Sequence, residues 1–222
     1  MAKKSTNVRF LKFAFGLAER VAPPIGTALL NRIWFRIPVV PEKVRRPRGE
    51  LPVPTPFEVG TLRGQSYGEG PTIYLVHGWG GWGLQLAAYI QPLVDLGFRV
   101  VTYDAPSHGD SGRGDEGTHA STLLEIADAL TAVVAAQGPA YGVIAHSAGA
   151  TATALALRDG VEAERLVFVA TASDFSVNLD QMQAFLGIGP RTRAGFERRF
   201  EARFGPMDRS TMPSGWSAAF CL

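Results

Sequence analysis

Apolar positions along residues 72–170 fall into short runs separated by helical stretches. Thr72-Ile73-Tyr74-Leu75-Val76 carries no polar alternation and ends at His77-Gly78, which suits a strand buried on both faces. Residues 84–96 read as helical, and Phe98-Arg99-Val100-Val101-Thr102-Tyr103 as the next strand, ending at Asp104. Over 120–137 the apolar residues Leu123, Ile126, Ala127, Leu130, Val133 and Val134 share one helical face, and Gly138-Pro139 closes the pattern. Tyr141-Gly142-Val143-Ile144-Ala145 is a third strand, followed by a helix from Ala148 to Leu157, and Leu166-Val167-Phe168-Val169-Ala170 is a fourth. Alternating strands and helices predict βαβ units and a mostly parallel sheet. Such sheets bind ligands at the carboxyl ends of their strands, where His77, Asp104, Ser147 and Thr171 all fall.

The flanks depart from this alternation. Residues 57–68 suggest a short hairpin turning at Gly60 or Gly64. Six prolines between Pro38 and Pro56 predict an extended linker, so residues 1–50 read as basic amphipathic helices plus that linker, ahead of a core at 51–173. Residues 174–210 mix phenylalanines with arginines in a helical pattern and read as a lid over the strand ends. Residues 211–222 read as an irregular tail.

Charge separates the segments further. The net charge is +2, too small to suggest a nucleic-acid partner. Yet residues 1–50 hold eleven Lys/Arg against three acids, +8, which leaves −6 for the rest. Glu19-Arg20 and Lys12 interrupt the apolar run that a signal peptide or membrane span would need. Residues 8–37 remain a candidate contact with an anionic membrane surface, against the plainer expectation of a helix packed on the domain. The single cysteine, Cys221, permits no internal disulfide, so a reducing, cytoplasmic setting is the simplest expectation. No Cys/His spacing resembles a zinc site, and nothing calls for a metal or another cofactor.

Three motifs carry the chemistry. Ala145-His146-Ser147-Ala148-Gly149 sits where a strand turns sharply into a helix, which requires small residues on either side of the central serine. The helix N-terminus behind Ser147 offers free N–H groups to developing negative charge. His77-Gly78-Trp79-Gly80-Gly81 is a Gly-rich turn directly after a strand, suited to presenting a backbone N–H. Asp104-Ala105-Pro106-Ser107-His108-Gly109-Asp110-Ser111-Gly112 is a tight loop after the next strand. In order and spacing these motifs resemble the α/β-hydrolase fold family of serine hydrolases over roughly residues 51–210. The resemblance implies an α/β fold with a mostly parallel sheet, flanking helices and a helical lid. It implies Ser147 as nucleophile and the N–H groups of Trp79 and Ala148 as the oxyanion hole. The expected chemistry is hydrolysis of a small-molecule acyl ester through an acyl-serine. The tryptophan after His-Gly is similar to that of some carboxylesterases acting on acyl methyl esters. In the family the 104–112 loop is mainly structural.

The family's triad runs Ser, acid, His, but all four histidines (His77, His108, His119 and His146) precede Ser147. The strands that would carry the acid and the histidine are expected to be missing. Asp174 is a candidate acid, or else the N-cap of the lid helix. A fragment or shifted-frame product of a longer hydrolase is therefore expected. The alternatives are a non-catalytic binding protein of the same fold, or substitution by a local histidine, for which His108 is the candidate. The other histidines read as structural, and Ser147 has the competing reading of a plain helix N-cap. A sheet stopped after the fourth strand would also leave an edge open to self-association.

Overall fold

A computed structural model of the protein describes residues 2–46, 50–171 and 175–205. In chain order the elements are α1 (Ala2–Val21), α2 (Pro23–Trp34), α3 (Glu42–Arg45), β1 (Thr55–Val59), β2 (Leu62–Tyr67) and β3 (Thr72–Val76). A 3₁₀ turn (Gly83–Tyr89) then runs into α4 (Ile90–Asp95), followed by β4 (Arg99–Tyr103), α5 (Leu123–Gln137), β5 (Ala140–His146), α6 (Ala148–Arg158) and β6 (Ala163–Val169). Last come α7 (Phe175–Leu186) and α8 (Pro190–Phe204). The described residues divide into two compact units: residues 36–46 with 50–171, and residues 2–35 with 175–205.

The first unit is built on a six-stranded sheet of order β1-β2-β4-β3-β5-β6. β4, β3, β5 and β6 run parallel, while the β1–β2 hairpin is antiparallel and joins the sheet through β4. This is the mostly parallel α/β sheet that the alternating pattern predicts. The chain leaves β3 toward β4 and returns to β5 on the other side, so the switch point of the sheet lies at the ends of β3 and β5. Alternate residues of β3 serve opposite faces. Tyr74 and Val76 share a core with Ile126, Leu130 and Val133 of α5 and with Ala150 and Ala152 of α6. Ile73 and Leu75 pack with Leu86 and Ile90 on the other face.

Several predicted boundaries move. The hairpin turns at Gly60, whose φ is +58°, whereas Gly64 lies inside β2 opposite Phe57. A Cβ at Gly64 would come within 2.3 Å of the Phe57 ring, so glycine serves close approach there rather than a turn. α5 begins three residues later than its apolar periodicity suggests. Arg36 bridges to Ala120 and Ile37 N–H donates to His119 O, which holds 119–120 extended. Thr122 and Glu125 then start the helix with a capping box. β6 starts at Ala163, and most of it is exposed on the open edge of the sheet, Leu166 and Val167 included.

The second unit is helical. α2 and α8 meet closely at glycines: a Cβ at Gly26 would sit 2.6 Å from Thr192 Oγ1, and one at Gly195 2.4 Å from Thr27 Oγ1. Thr27 Oγ1 donates to Thr192 O at 3.1 Å. Trp34 and Phe35 pack against Phe196, Phe200 and Phe204. Glu19 of α1 caps α8 by accepting from the Arg191 and Thr192 N–H groups.

Candidate active site

Ser147 lies between β5 and α6 with φ 52° and ψ −121°. A non-glycine residue in that region costs about 1–3 kcal/mol, which surrounding structure must offset. The offset is visible. Ser147 N–H donates to Val169 O of β6 at 2.9 Å, and Ala150 N–H donates to Ser147 O at 3.0 Å. The Ser147 hydroxyl makes no capping bond to α6. A serine serving as an ordinary N-cap would have extended φ/ψ and a side chain bonded to the first turn. Neither holds, so the plain-cap reading of Ser147 fails on geometry.

The small residues around it act by close approach. A Cβ on Gly149 would lie 2.4 Å from His77 O and 2.8 Å from Val76 O. A Cβ on Gly78 would lie 3.0 Å from His146 Nδ1 and 3.1 Å from Ser147 Cβ. The loop after β3 and the serine turn therefore touch backbone to backbone. Ala145, in the position where the serine motif carries glycine, is fully buried.

Residues 78–81 form a type II turn. Gly81 N–H donates to Gly78 O at 2.9 Å, and Gly80 has φ +68°, as that turn requires. The turn's closing bond does not use the Trp79 N–H. The Trp79 indole N–H donates to Arg36 O at 3.2 Å, and its ring stands edge-on to His108. Ala148 is the first residue of α6, where helical N–H groups have no intrahelical partner.

Two buried histidines tie this turn to the 104–112 loop. His108 Nε2 accepts from Gly80 N–H at 3.1 Å while its Nδ1 faces Pro106 O at 2.9 Å. His77 Nε2 accepts from Ala105 N–H at 3.0 Å while its Nδ1 faces Gly78 O at 2.8 Å. These partners assign each ring as neutral, with the proton on Nδ1. Burial pushes His77 down to about 4, against the opposing Gly78 carbonyl. Burial and the nearby His77 ring push His108 down to about 4 as well. His108, the predicted local substitute for a missing base, thus has both ring nitrogens occupied, one by the Gly80 N–H and one within its own loop. Asp104 is engaged too: its carboxylate accepts from Gly83 N–H at 2.6 Å and Asp110 N–H at 2.7 Å. Burial raises its pKa above the usual carboxylate value, partly countered by those donors.

His146 Nδ1 is buried without a hydrogen-bond partner among the described residues. The candidate acid Asp174 lies outside the described residues. No group of three or more His, Cys, Asp or Glu side chains among the described residues is arranged to hold a metal ion. A cavity of about 630 Å³, lined by Arg45, Arg63, Trp82 and Asp104 among others, opens beside β2 and β4 and does not include Ser147. Sequence reasoning missed the bracing of the turn by His108 and Arg36, because contacts between loops leave no periodic signal.

A strand-end serine beside a glycine turn, on a sheet of this order, defines an α/β-hydrolase-type protein. Comparison with known proteins agrees: the Alpha/beta hydrolase family model matches residues 73–221, and the chain belongs to that family. Among curated proteins it is 31% identical over 143 residues to the pimeloyl-[acyl-carrier protein] methyl ester esterase of Vibrio vulnificus (strain CMCP6), covering 64% of this chain and 52% of that protein. It is 32% identical over 108 residues to a serine hydrolase-like protein of Danio rerio, covering 48% of this chain and 32% of that one. The chain spans about half the length of the esterases it matches. Among solved structures, the proline iminopeptidase-related protein of Thermus thermophilus aligns at a TM-score of 0.50 and 22% identity, over 67% of this chain and 56% of that one, a likeness of fold.

Proposed function

We propose that the protein carries the nucleophile half of a carboxylic-ester hydrolase, with Ser147 as the attacking residue. The observation that carries this reading is the Ser147 backbone: a left-handed turn between β5 and α6 whose hydroxyl is not used as a cap. In the reaction, Ser147 Oγ adds to the ester carbonyl carbon, and the carbonyl oxygen becomes an oxyanion held by the Trp79 and Ala148 N–H groups. Collapse breaks the bond to the ester oxygen, which takes up the proton lost by Ser147 and leaves as the alcohol; water then cleaves the acyl-serine to the acid and restores the hydroxyl. Asp174 is proposed as the acid of this site, and residues 174–210 as the lid. The kinship with methyl ester esterases supports an acyl methyl ester as substrate class.

The Ser147 proton needs an acceptor for attack. No histidine follows Ser147 in these 222 residues. His77 and His108 have both ring nitrogens occupied. A serine of this kind acting with no base retains only the catalysis of the oxyanion hole and of binding, roughly 10³–10⁴-fold over water. The occupied ring nitrogens of His77 and His108 favour a second reading, a non-catalytic member of the fold that binds acyl esters. Incubation with short acyl methyl esters, followed by intact-mass analysis, separates the two. A slow acyl adduct on Ser147, absent in Ser147→Ala, is expected. Ester binding with no adduct at any time favours the non-catalytic reading.

A further inference from the structure

α1 has two apolar faces, and only one of them is used by the helical unit. Phe15 and Ala18 are buried. Phe10, Phe13, Leu17 and Val21 are 69%, 68%, 52% and 74% exposed. At about 100° per residue, positions 10, 13, 17 and 21 fall within an arc of about 80°. Two phenylalanines, a leucine and a valine in one outward stripe exceed the scattered exposed apolar residues normal for a soluble surface.

The charges beside the stripe have one sign. Arg9, Lys12 and Arg20 are exposed on α1. Glu19, the single acid of residues 1–35, is turned away and caps α8 through Arg191 N–H at 2.8 Å and Thr192 N–H at 2.9 Å. Residues 1–35 and 173–213 together carry twelve Lys/Arg against six Asp/Glu, a net +6. A second copy pairing through this stripe would bring Arg9, Lys12 and Arg20 near their own equivalents, and like charges oppose that. An anionic surface meets both features: the apolar row enters the acyl boundary while basic heads on flexible stems reach the headgroups. No described helix is long and apolar enough to cross a membrane, so the contact lies in the interface plane.

We propose that the outward Phe10–Phe13–Leu17–Val21 face of α1 docks on an anionic lipid surface, with Arg9, Lys12 and Arg20 contacting the headgroups. The proposal does not depend on the chemistry of Ser147. It is tested by co-sedimenting the full chain with vesicles of phosphatidylcholine alone and of phosphatidylcholine with phosphatidylserine, alongside Phe10→Ser/Phe13→Ser and Arg9→Gln/Lys12→Gln/Arg20→Gln. Circular dichroism checks that the variants keep the wild-type fold. The expected result is binding to the anionic vesicles, weakened about a hundredfold or more by the double serine variant and about a hundredfold by the triple glutamine variant. Ser147→Ala should bind like wild type. Failure of the wild type to bind anionic vesicles overturns the proposal. So does equal binding to both vesicle types, or binding untouched by Phe10→Ser/Phe13→Ser. A wild-type dimer that the double serine variant dissolves, with no vesicle binding, assigns the stripe to a second copy instead.

Discussion

Replacing Ser147 by glycine should make the protein more stable while removing the proposed nucleophile. Ser147 holds φ 52° and ψ −121°, and the strain of a side chain in such a region is about 1–3 kcal/mol. Glycine takes this conformation without that strain, though it returns about 0.5–1 kcal/mol through the greater freedom of the unfolded chain. The hydroxyl makes no capping bond, so its loss should cost the helix little. The net expectation is a gain of roughly 0.5–2 kcal/mol. For a chain of this size that raises the melting temperature by about 1–8 °C at roughly 2–4 °C per kcal/mol. Ser147→Ala is the control, since it removes the hydroxyl but keeps the Cβ. Differential scanning calorimetry of wild type, Ser147→Ala and Ser147→Gly measures the difference directly. A Ser147→Gly variant that melts at or below Ser147→Ala would refute the claim that the turn stores strain.

Gly149→Ala should act in the opposite direction, because its Cβ would meet the His77 and Val76 carbonyls at 2.4 and 2.8 Å. A loss of about 2–4 kcal/mol is expected by urea unfolding, as for other overpacked sites with no room to yield. The buried histidines set a pH dependence. His77 and His108 are held near 4 in the folded state, against an unfolded value near 6.5, so the unfolded chain binds more protons between those values. Stability should therefore be full above about pH 6.5 and fall as pH drops toward 4, by up to about 3 kcal/mol per histidine. His108→Gln should flatten part of that slope in unfolding measured from pH 4 to 7, and an unchanged slope would contradict the assigned burial. The open β6 edge, with Leu166 and Val167 exposed, should drive concentration-dependent self-association in sedimentation velocity, and Val167→Lys should reduce it.

The parallel sheet was legible because β3, β4 and β5 are short apolar runs bounded by glycine, proline or a polar strand end, and periodicity reports burial on both faces. The serine turn was legible for another reason: its small residues answer a local steric demand, seen in the contacts a Cβ at Gly149 or Gly78 would make. Long-range features were hidden. Nothing local in residues 36–38 marks them as a brace for Trp79, since Arg36 contributes only its backbone carbonyl. Gly64 read as a turn because sequence cannot separate a glycine needed for φ > 0 from one needed for space. The joining of α1 and α2 with α7 and α8, about 140 residues apart, rests on glycine-mediated contacts such as Gly26 with Thr192, which leave no periodic trace. The outward stripe of α1 was visible as amphipathicity, but which of its two apolar faces turns inward is decided by packing on its neighbours.

The central claim is that Ser147 is a nucleophile placed without a base of its own in these residues. Fluorophosphonate labelling of the 222-residue chain, followed by intact mass and peptide mapping and repeated with added imidazole as an external base, tests it most directly. One slow adduct on Ser147, accelerated by imidazole and absent in Ser147→Ala, is the expected result. Labelling that persists in Ser147→Ala, or an adduct on Ser147 that forms quickly with no imidazole present, would contradict it.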